Sequence, residues 1–399
     1  MRILHVASTL DPAAGGPPVV AARLAAAQAA QGHAVTILTY APAAGGAASE
    51  RGAGTSAPAS PRALLEGIPG GADVRVALAH PRALEGLRGA GAAAAARPLV
   101  GESDVVHLHG VWYPIVRVAA REAKRAGIPY VLAPHGMLDP WSLSQKALKK
   151  RVALALAFRR VLDQASWLHM LNHDEVRLAA PLGLRSATEI VPNGIFPDEV
   201  AELPPRGRFR ATVPGLGDAP FVLFLSRLHF KKGLDLLAEA FAILGRARPD
   251  VHLVVAGPDD GAQAELVAQV ARLGVGSHVH LVGPLYAARK FEAFIDAEVF
   301  CLPSRQEGFS MAITEALASG RPVVITPECH FPDVESGRAG RIVPLEPARI
   351  AAALEGLLGD PEEAQAMGRR GRELVLSTYT WPAIAERTVA LCRAHGARG

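Results

Sequence analysis

Residues 303–324 read PSRQEGFSMAITEALASGRPVV, and within them Glu307 and Glu315 stand eight positions apart. Gly308 follows the first carboxylate, Ser310 stands where a helix would begin, and Gly320 where it would end. Serine is a favoured N-cap, and glycine is favoured at the left-handed position beyond a helix C-terminus. The first amides of such a helix lack internal partners and its dipole is positive there, so the turn at Gly308, Phe309 and Ser310 offers a place for an anion. Eight helical residues cover about 12 Å, the reach of a nucleotide sugar across its diphosphate. A phosphate at the helix start would leave a carboxylate facing each end of that ligand, and each carboxylate can accept two hydroxyl hydrogen bonds from a vicinal diol. The spacing also fits two ordinary surface glutamates, one of them favoured by the dipole.

A second stretch, LSRLHFKKGLD at 225–235, ends a strand-like run in Arg227 and sets Lys231 and Lys232 just before Gly233. A guanidinium fork and an ammonium in one strand-to-helix loop suit a diphosphate, although a solvated turn would carry the same residues. His135 closes the run YVLAPHG, where it either faces a ligand or caps backbone groups. His107 and His109 in DVVHLHG read as structural, with His109 the better placed to reach a ligand; Asp139 and Trp141 fit either an acceptor pocket or a packed turn.

These loops need elements to hold them. Short apolar runs alternate with helical stretches from residue 2 to 194, as in RILHVAS, AVTILTY, DVVHLHG, YVLAPHG, WLHML and EIVPNG. That alternation predicts a parallel sheet with helices on both faces. A second series runs from FVLFLSRL at 221 to GRIVP at 344, after a Pro-, Gly- and charge-rich stretch that reads as a linker over 199–218. The expected divisions are a domain over 1–198, a domain over 219–379 and a final helix over 380–399. Residues 42–102 carry few strand signals, DVRVALAH at 73–80 being the best. In doubly wound sheets ligands bind beyond the C-terminal ends of the strands, so the chemistry is expected in the loops there and in the cleft between two such domains.

A chain of 399 residues with net charge +4 is long enough for two cores and mildly basic, which suits phosphates or an anionic membrane. It lacks the clustered basic and aromatic residues of a nucleic-acid binder. Cys301, Cys329 and Cys392 have no metal-like spacing and read as buried thiols of a reduced, cytoplasmic protein. The opening MRILHVAS does not read as a secretory signal, and no apolar run is long enough to span a bilayer.

Taken together, the Arg and Lys-Gly loop and the E-x7-E segment resemble the retaining family 4, or group 1, glycosyltransferases of GT-B fold. GHAVTILT, DVVHLHG, PHGMLDPW, IVPNGI and TYTWPAIAER follow in the order that family uses, so the resemblance covers nearly the whole chain. It implies two Rossmann-like domains facing across a cleft, with the last helix returning to the first domain. It further implies that Arg227 and Lys232 neutralise the departing diphosphate, that Glu307 meets the donor sugar and that Glu315 holds the ribose diol. Gly308, Phe309 and Ser310 would face phosphates or sugar, Gly283 and Leu285 would flank the base, and His135 would lie near the reacting carbon. Gly15 or Gly16 would let substrate approach the first loop; TLDPAAGGPP is longer than the family's tight turn, which leaves the choice between them open, as Lys231 stays open beside Lys232.

The expected activity is transfer of a hexose from a UDP- or GDP-sugar to a glycan or lipid-linked acceptor with retention, without a metal or other cofactor. Another GT-B activity, such as an epimerase, phosphorylase or sucrose-type synthase, or a non-catalytic partner subunit, is the alternative. A nicotinamide oxidoreductase would want G-x-G-x-x-G after the first strand, which STLDPAAGGPP does not supply. The stretch SLSQKALKKRVALALAFRRVL at 142–162 joins six basic residues to an apolar face, suiting either a solvated surface or docking on the anionic inner face of a membrane.

Overall fold

Runs of Val, Leu and Ile with no polar face can escape water on both sides only inside a sheet covered by helices. In the computed structural model, which describes residues 1–42 and 60–397, those runs form two parallel sheets. The first contains β1 (Arg2–Val6), β2 (Ala34–Tyr40), β3 (Arg75–Ala79), β4 (Val105–His109), β5 (Tyr130–Ala133), β6 (Trp167–Met170) and β7 (Ala187–Ile190) in the order β3-β2-β1-β4-β5-β6-β7. The second contains β8 (Phe221–Leu225), β9 (His252–Ala256), β10 (Val279–Gly283), β11 (Val299–Leu302), β12 (Val323–Ile325) and β13 (Gly340–Ile342) in the order β10-β9-β8-β11-β12-β13. Residues 73–80 supply β3, as their alternation suggested; of the uncertain stretch 42–102, residues 43–59 lie outside the described residues.

Both orders reverse once, between β1 and β4 in one sheet and between β8 and β11 in the other. At such a switch point the loops leaving the two adjacent strands turn to opposite faces and open a crevice beyond the strand ends. The loop after β8 carries Arg227 to Gly233, and the loop after β11 carries Pro303 to Ser310. Residues 75 apart in sequence therefore become neighbours through topology alone.

The chain divides into one unit of Met1–Asn193 with Trp381–Gly399 and another of Gly194–Thr380. The last helix, Trp381–Ala394, packs against helix Gly16–Ala30 of the first unit. Trp381 is buried there, and Gln31 Nε2 donates to the Pro382 carbonyl at 2.7 Å. The expectation of a linker over 199–218 is corrected. Val200, Phe209, Val213 and Leu216 are buried in the core of the second unit. The buried Asp296 carboxylate accepts from the Gly207 and Arg210 amides at 2.5 and 2.9 Å. The Pro, Gly and charge content of this stretch shows where its backbone turns, while its widely spaced apolar residues anchor it.

Phe209→Ala should therefore destabilise the second unit by about 3–5 kcal/mol, the cost of emptying a buried aromatic site. Urea unfolding followed by Trp and Tyr fluorescence measures it, and a loss below about 0.5 kcal/mol would return this stretch to linker status.

Candidate active site

The second unit brings Lys232 and Glu307 together. Gly233 makes this possible: it sits at φ 68°, and a Cβ there would lie 2.0 Å from the Pro303 carbonyl oxygen. Without that methyl the loop after β8 presses onto the loop after β11, and Arg305 N donates to the Lys231 carbonyl at 2.6 Å. Lys232 Nζ then reaches Glu307 Oε1 at 2.5 Å, with both side chains about nine-tenths buried. Ser304 Oγ donates to the same carboxylate oxygen at 2.7 Å, and Glu307 N is held by the Glu328 carbonyl. Arg305 clamps the rear of the loop with a two-pronged contact to Asp235 at 2.7 and 2.6 Å. Lys231 turns to Gln306 Oε1 at 2.7 Å, so it is Lys232 that meets the glutamate.

The helix after Glu307 runs Met311–Ala318, with Ser310 at the N-cap position. Ser310 makes no side-chain cap, in contrast to the expectation from its type, so its hydroxyl does not take up the first amides of the helix. Glu315 lies on the buried side of this helix and is paired with Lys290 Nζ at 2.6 Å, again with both groups largely covered. Lys290 comes from helix Ala288–Asp296, and nothing in its sequence neighbourhood marks it as a partner of Glu315. Arg227 is the more exposed cation; its Nη1 lies 2.5 Å from Asp260 Oδ2. Gly283 ends β10, and Leu285 lines a pocket of about 380 Å³ with Phe209, Val213, His280 and Arg289 at the sheet edge.

The first unit holds the remaining predicted residues. Gly15 has φ 94° and ψ −152°, which glycine alone adopts readily, whereas Gly16 is simply the first residue of the helix. The special position in that turn is therefore Gly15. His135 follows β5 at φ 53°, partly exposed, and its Nε2 lies 3.0 Å from His109 Nδ1. His109 Nε2 meets His5 Nδ1 at 2.9 Å, and His5 Nε2 meets Gln28 Oε1 at 2.7 Å. A branch joins His107 Nε2 to His169 Nδ1 at 3.2 Å and His169 Nε2 to the Val191 carbonyl at 2.8 Å. Ring nitrogens of His5, His107 and His109 fall within 4.8 Å of one another. Both nitrogens of His5 and of His109 are hydrogen-bonded, so the rings form a continuous row. Asp139 Oδ1 accepts from Ser142 N at 2.6 Å, a turn cap. Glu175 accepts from the Gly136 and Leu171 amides at 2.6 Å each, fixing the turn beside His135, and burial pushes its carboxyl up to about 7.

Comparison with known proteins gives this arrangement its family. Residues 15–194 match the glycosyl transferase 4-like domain and residues 208–374 match glycosyl transferases group 1. A GDP-mannose-dependent alpha-(1-6)-phosphatidylinositol monomannoside mannosyltransferase of Mycolicibacterium smegmatis is 33% identical over 300 residues, covering 71% of this chain and 75% of that protein. This chain is a group 1 glycosyltransferase. An alpha-maltose-1-phosphate synthase of the same organism is 30% identical over 348 residues, 79% of this chain and 87% of the relative. Among solved structures, Anabaena HepE in complex with UDP and glucose superposes with a TM-score of 0.76 at 20% identity, covering 99% of this chain and 100% of that one. The glycosyltransferase thus has the GT-B fold, and both Rossmann-like sheets are accounted for.

The histidine row has a measurable cost in acid. Burial holds His5 and His169 at about 4, and His107 and His109 well below the ordinary 6.5. The folded glycosyltransferase therefore refuses protons that its unfolded chain accepts. The stability from these rings is complete above pH 6.5 and is lost as pH falls toward 4, by about 1.4 kcal/mol per pH unit for each ring. Glu175, with its raised value, acts oppositely: its contribution fades as pH rises toward 7. Four rings outweigh one carboxyl, so the urea midpoint should fall steeply between pH 6.5 and 5. Equal midpoints at the two pH values would contradict neutral burial.

Proposed function

We propose that this glycosyltransferase moves a hexose from a UDP- or GDP-sugar to a glycan or lipid-linked acceptor with retention of configuration. The setting would be cell-surface polysaccharide or glycolipid biosynthesis on the cytoplasmic side of the membrane. The observation that carries the reading is the pair of lysine–glutamate contacts, Lys232–Glu307 before helix Met311–Ala318 and Lys290–Glu315 within it. Each pair can be exchanged for a ligand group. A diphosphate at the helix start draws Lys232 and the exposed Arg227, and Glu307 is then free to accept sugar hydroxyls, while Glu315 accepts the ribose diol. Gly308, Phe309 and Ser310 supply backbone amides to the phosphates or sugar, and Gly283 and Leu285 flank the base.

In the transfer step the bond from the anomeric carbon to the phosphate oxygen breaks as the acceptor oxygen bonds to that carbon on the same face. The acceptor proton passes to the leaving phosphate oxygen. Arg227, Lys232 and the helix dipole stabilise the charge that develops there, and no metal is needed to supply it. His135 faces the donor sugar near the reacting carbon. The Mycolicibacterium relative named for GDP-mannose and the UDP-bound HepE support these two donor classes.

Purified protein with GDP-mannose, UDP-glucose and related donors, with and without phosphoinositide or polyprenyl-phosphate acceptors, should release GDP or UDP only with an acceptor. The product's anomeric configuration, read by NMR, should match the donor's; inversion, or no release from any donor, overturns the proposal. Glu307→Gln or Lys232→Ala should lower turnover by at least ~10²-fold, comparable with loss of one oriented electrostatic group, with the circular dichroism spectrum unchanged. Near-normal turnover in either folded variant would remove that residue from its role.

Membrane docking of the basic stretch belongs to the same proposal. Residues 142–162 are not one helix: Pro140–Ser144, Ala147–Ala153, a wide turn at Leu154–Phe158 and Arg159–Asp163 follow in series. Lys150 and Arg159 are engaged internally, with Ser142 and Asp163. Leu148, Val152 and Leu156 nevertheless form an exposed row at four-residue intervals, with Lys146, Lys149, Arg151 and Arg160 also exposed. No helix among the described residues is long and apolar enough to cross a membrane. Phosphatidylglycerol-containing liposomes at low salt should sediment the protein, and Leu148→Ser with Leu156→Ser should weaken this about tenfold or more. Equal recovery with neutral liposomes would refute anionic docking.

A further inference from the structure

The row of histidines has a direction. Hydrogen bonds between neutral imidazoles need one protonated and one bare nitrogen per ring, so fixing one end fixes every ring along the chain. Here the deep end is Gln28, whose Oε1 faces His5 Nε2 at 2.7 Å. An amide oxygen only accepts, so His5 carries its proton on Nε2 and presents bare Nδ1. His109 Nε2 then donates to His5 Nδ1 at 2.9 Å, and His135 Nε2 donates to His109 Nδ1 at 3.0 Å. Every ring in this line is protonated on Nε2. The one nitrogen left over is His135 Nδ1, on the one ring of the line that is partly exposed.

The branch is set independently. The Val191 carbonyl can only accept, so His169 Nε2 is protonated, His169 Nδ1 is bare, and His107 Nε2 donates to it. His107 Nδ1 is left buried and without a partner among the described residues, as expected for a bare nitrogen at the end of a line. An unpaired acceptor is the cheaper orphan, and the branch and the main line share the same polarity.

We infer that Gln28, acting through His5 and His109, is a positioning residue that holds His135 in the Nε2-protonated tautomer and so makes its remaining nitrogen, Nδ1, an acceptor only. His135 Nδ1 then accepts a hydrogen bond from a substrate hydroxyl and donates none in return. This selects for a sugar that has a hydroxyl at the contacted position, and it rejects groups that only accept. Its catalytic consequence rests on the placement of His135 beside the donor sugar proposed above; the tautomer itself does not.

The test separates the two. Two-bond nitrogen–proton correlation spectra of the full-length protein labelled with ¹⁵N-histidine report which ring nitrogens are bare, without any substrate. In the wild-type protein His5, His109 and His135 should all show bare Nδ1. In Gln28→Leu the line loses its fixed acceptor and reverses, because an orphan lone pair on His5 costs less than an orphan N–H. His135 should then carry its proton on Nδ1, while His107 and His169, fixed by Val191, stay as they were. Gln28→Glu, which keeps an acceptor oxygen for His5, should retain the wild-type tautomer at His135.

With an active donor, Gln28→Leu should lower kcat/KM about tenfold, the scale of one hydrogen bond, and Gln28→Glu should recover it. Across a set of monodeoxy donors the variant should lose the wild-type preference for one hydroxyl, whereas a general loosening of the fold would depress all donors alike. A wild-type His135 protonated on Nδ1, or a His135 tautomer unchanged by Gln28→Leu, overturns the inference. Correct tautomers with equal loss on every deoxy donor overturn its link to the sugar and leave the donor proposal to its own tests. Should Gln28→Leu fail to fold, the wild-type spectrum decides alone.

Discussion

The contact between Lys232 Nζ and Glu307 Oε1, 2.5 Å long and mostly shielded from water, is where the constraints of the second unit's site converge. Removing one partner of a buried pair strands the other, at a cost of about 3–5 kcal/mol. The contact exists because β8 and β11 lie side by side at the point where the strand order reverses. It is as short as it is because Gly233 lets one loop press against the Pro303 carbonyl. Arg305, bridging to Asp235 and the Lys231 carbonyl, holds the two loops in that position. The site thus depends on sheet topology first, on a missing methyl second, and on charge last.

The first unit solves a different problem, placing polar rings inside a sheet. Five imidazoles from β1, β4, β6 and the loop after β5 lie close together with little room for water. Each is neutral because desolvation penalises the cation, and each is tolerable because the rings satisfy one another. A hydrogen-bonded row in a low-dielectric interior is stiff, since rotating one ring breaks bonds at both of its neighbours. That stiffness carries from helix Gly16–Ala30, where Gln28 sits, to the positive-φ residue His135 at the sheet's C-terminal edge.

Much of this was legible in the sequence, for reasons that differ from one residue to another. The strands could be read because a strand buried on both faces is a continuous apolar run, as in FVLFL at β8. Glu307, Glu315, Arg227 and Lys232 stand out as candidates because a loop that handles charge concentrates it beside glycine and a helix start. Lys290 does not, since it lies within an ordinary amphipathic helix and only the tertiary fold turns it to Glu315. The stretch 199–218 misled because composition reports turns, and its anchors, with Phe209 foremost, are spaced too widely to form a pattern. The histidine row was visible as five separate letters; their alignment needs the register that pairs His5 with His107 across β1 and β4.

The matching of each lysine by a glutamate has one more consequence. A ligand that brings phosphate without hydroxyls takes a lysine and leaves its glutamate buried with no counter-charge. One that brings hydroxyls without phosphate must compete with an ammonium already in place. On the proposed donor reading, only a molecule offering both would satisfy all four groups at once, and inorganic phosphate would be a poor competitor. A nucleoside diphosphate that has given up its sugar would no longer satisfy Glu307, and the return of Lys232 to that carboxylate would favour its departure. On that reading the same pair of charges would both receive a whole ligand and release a spent one.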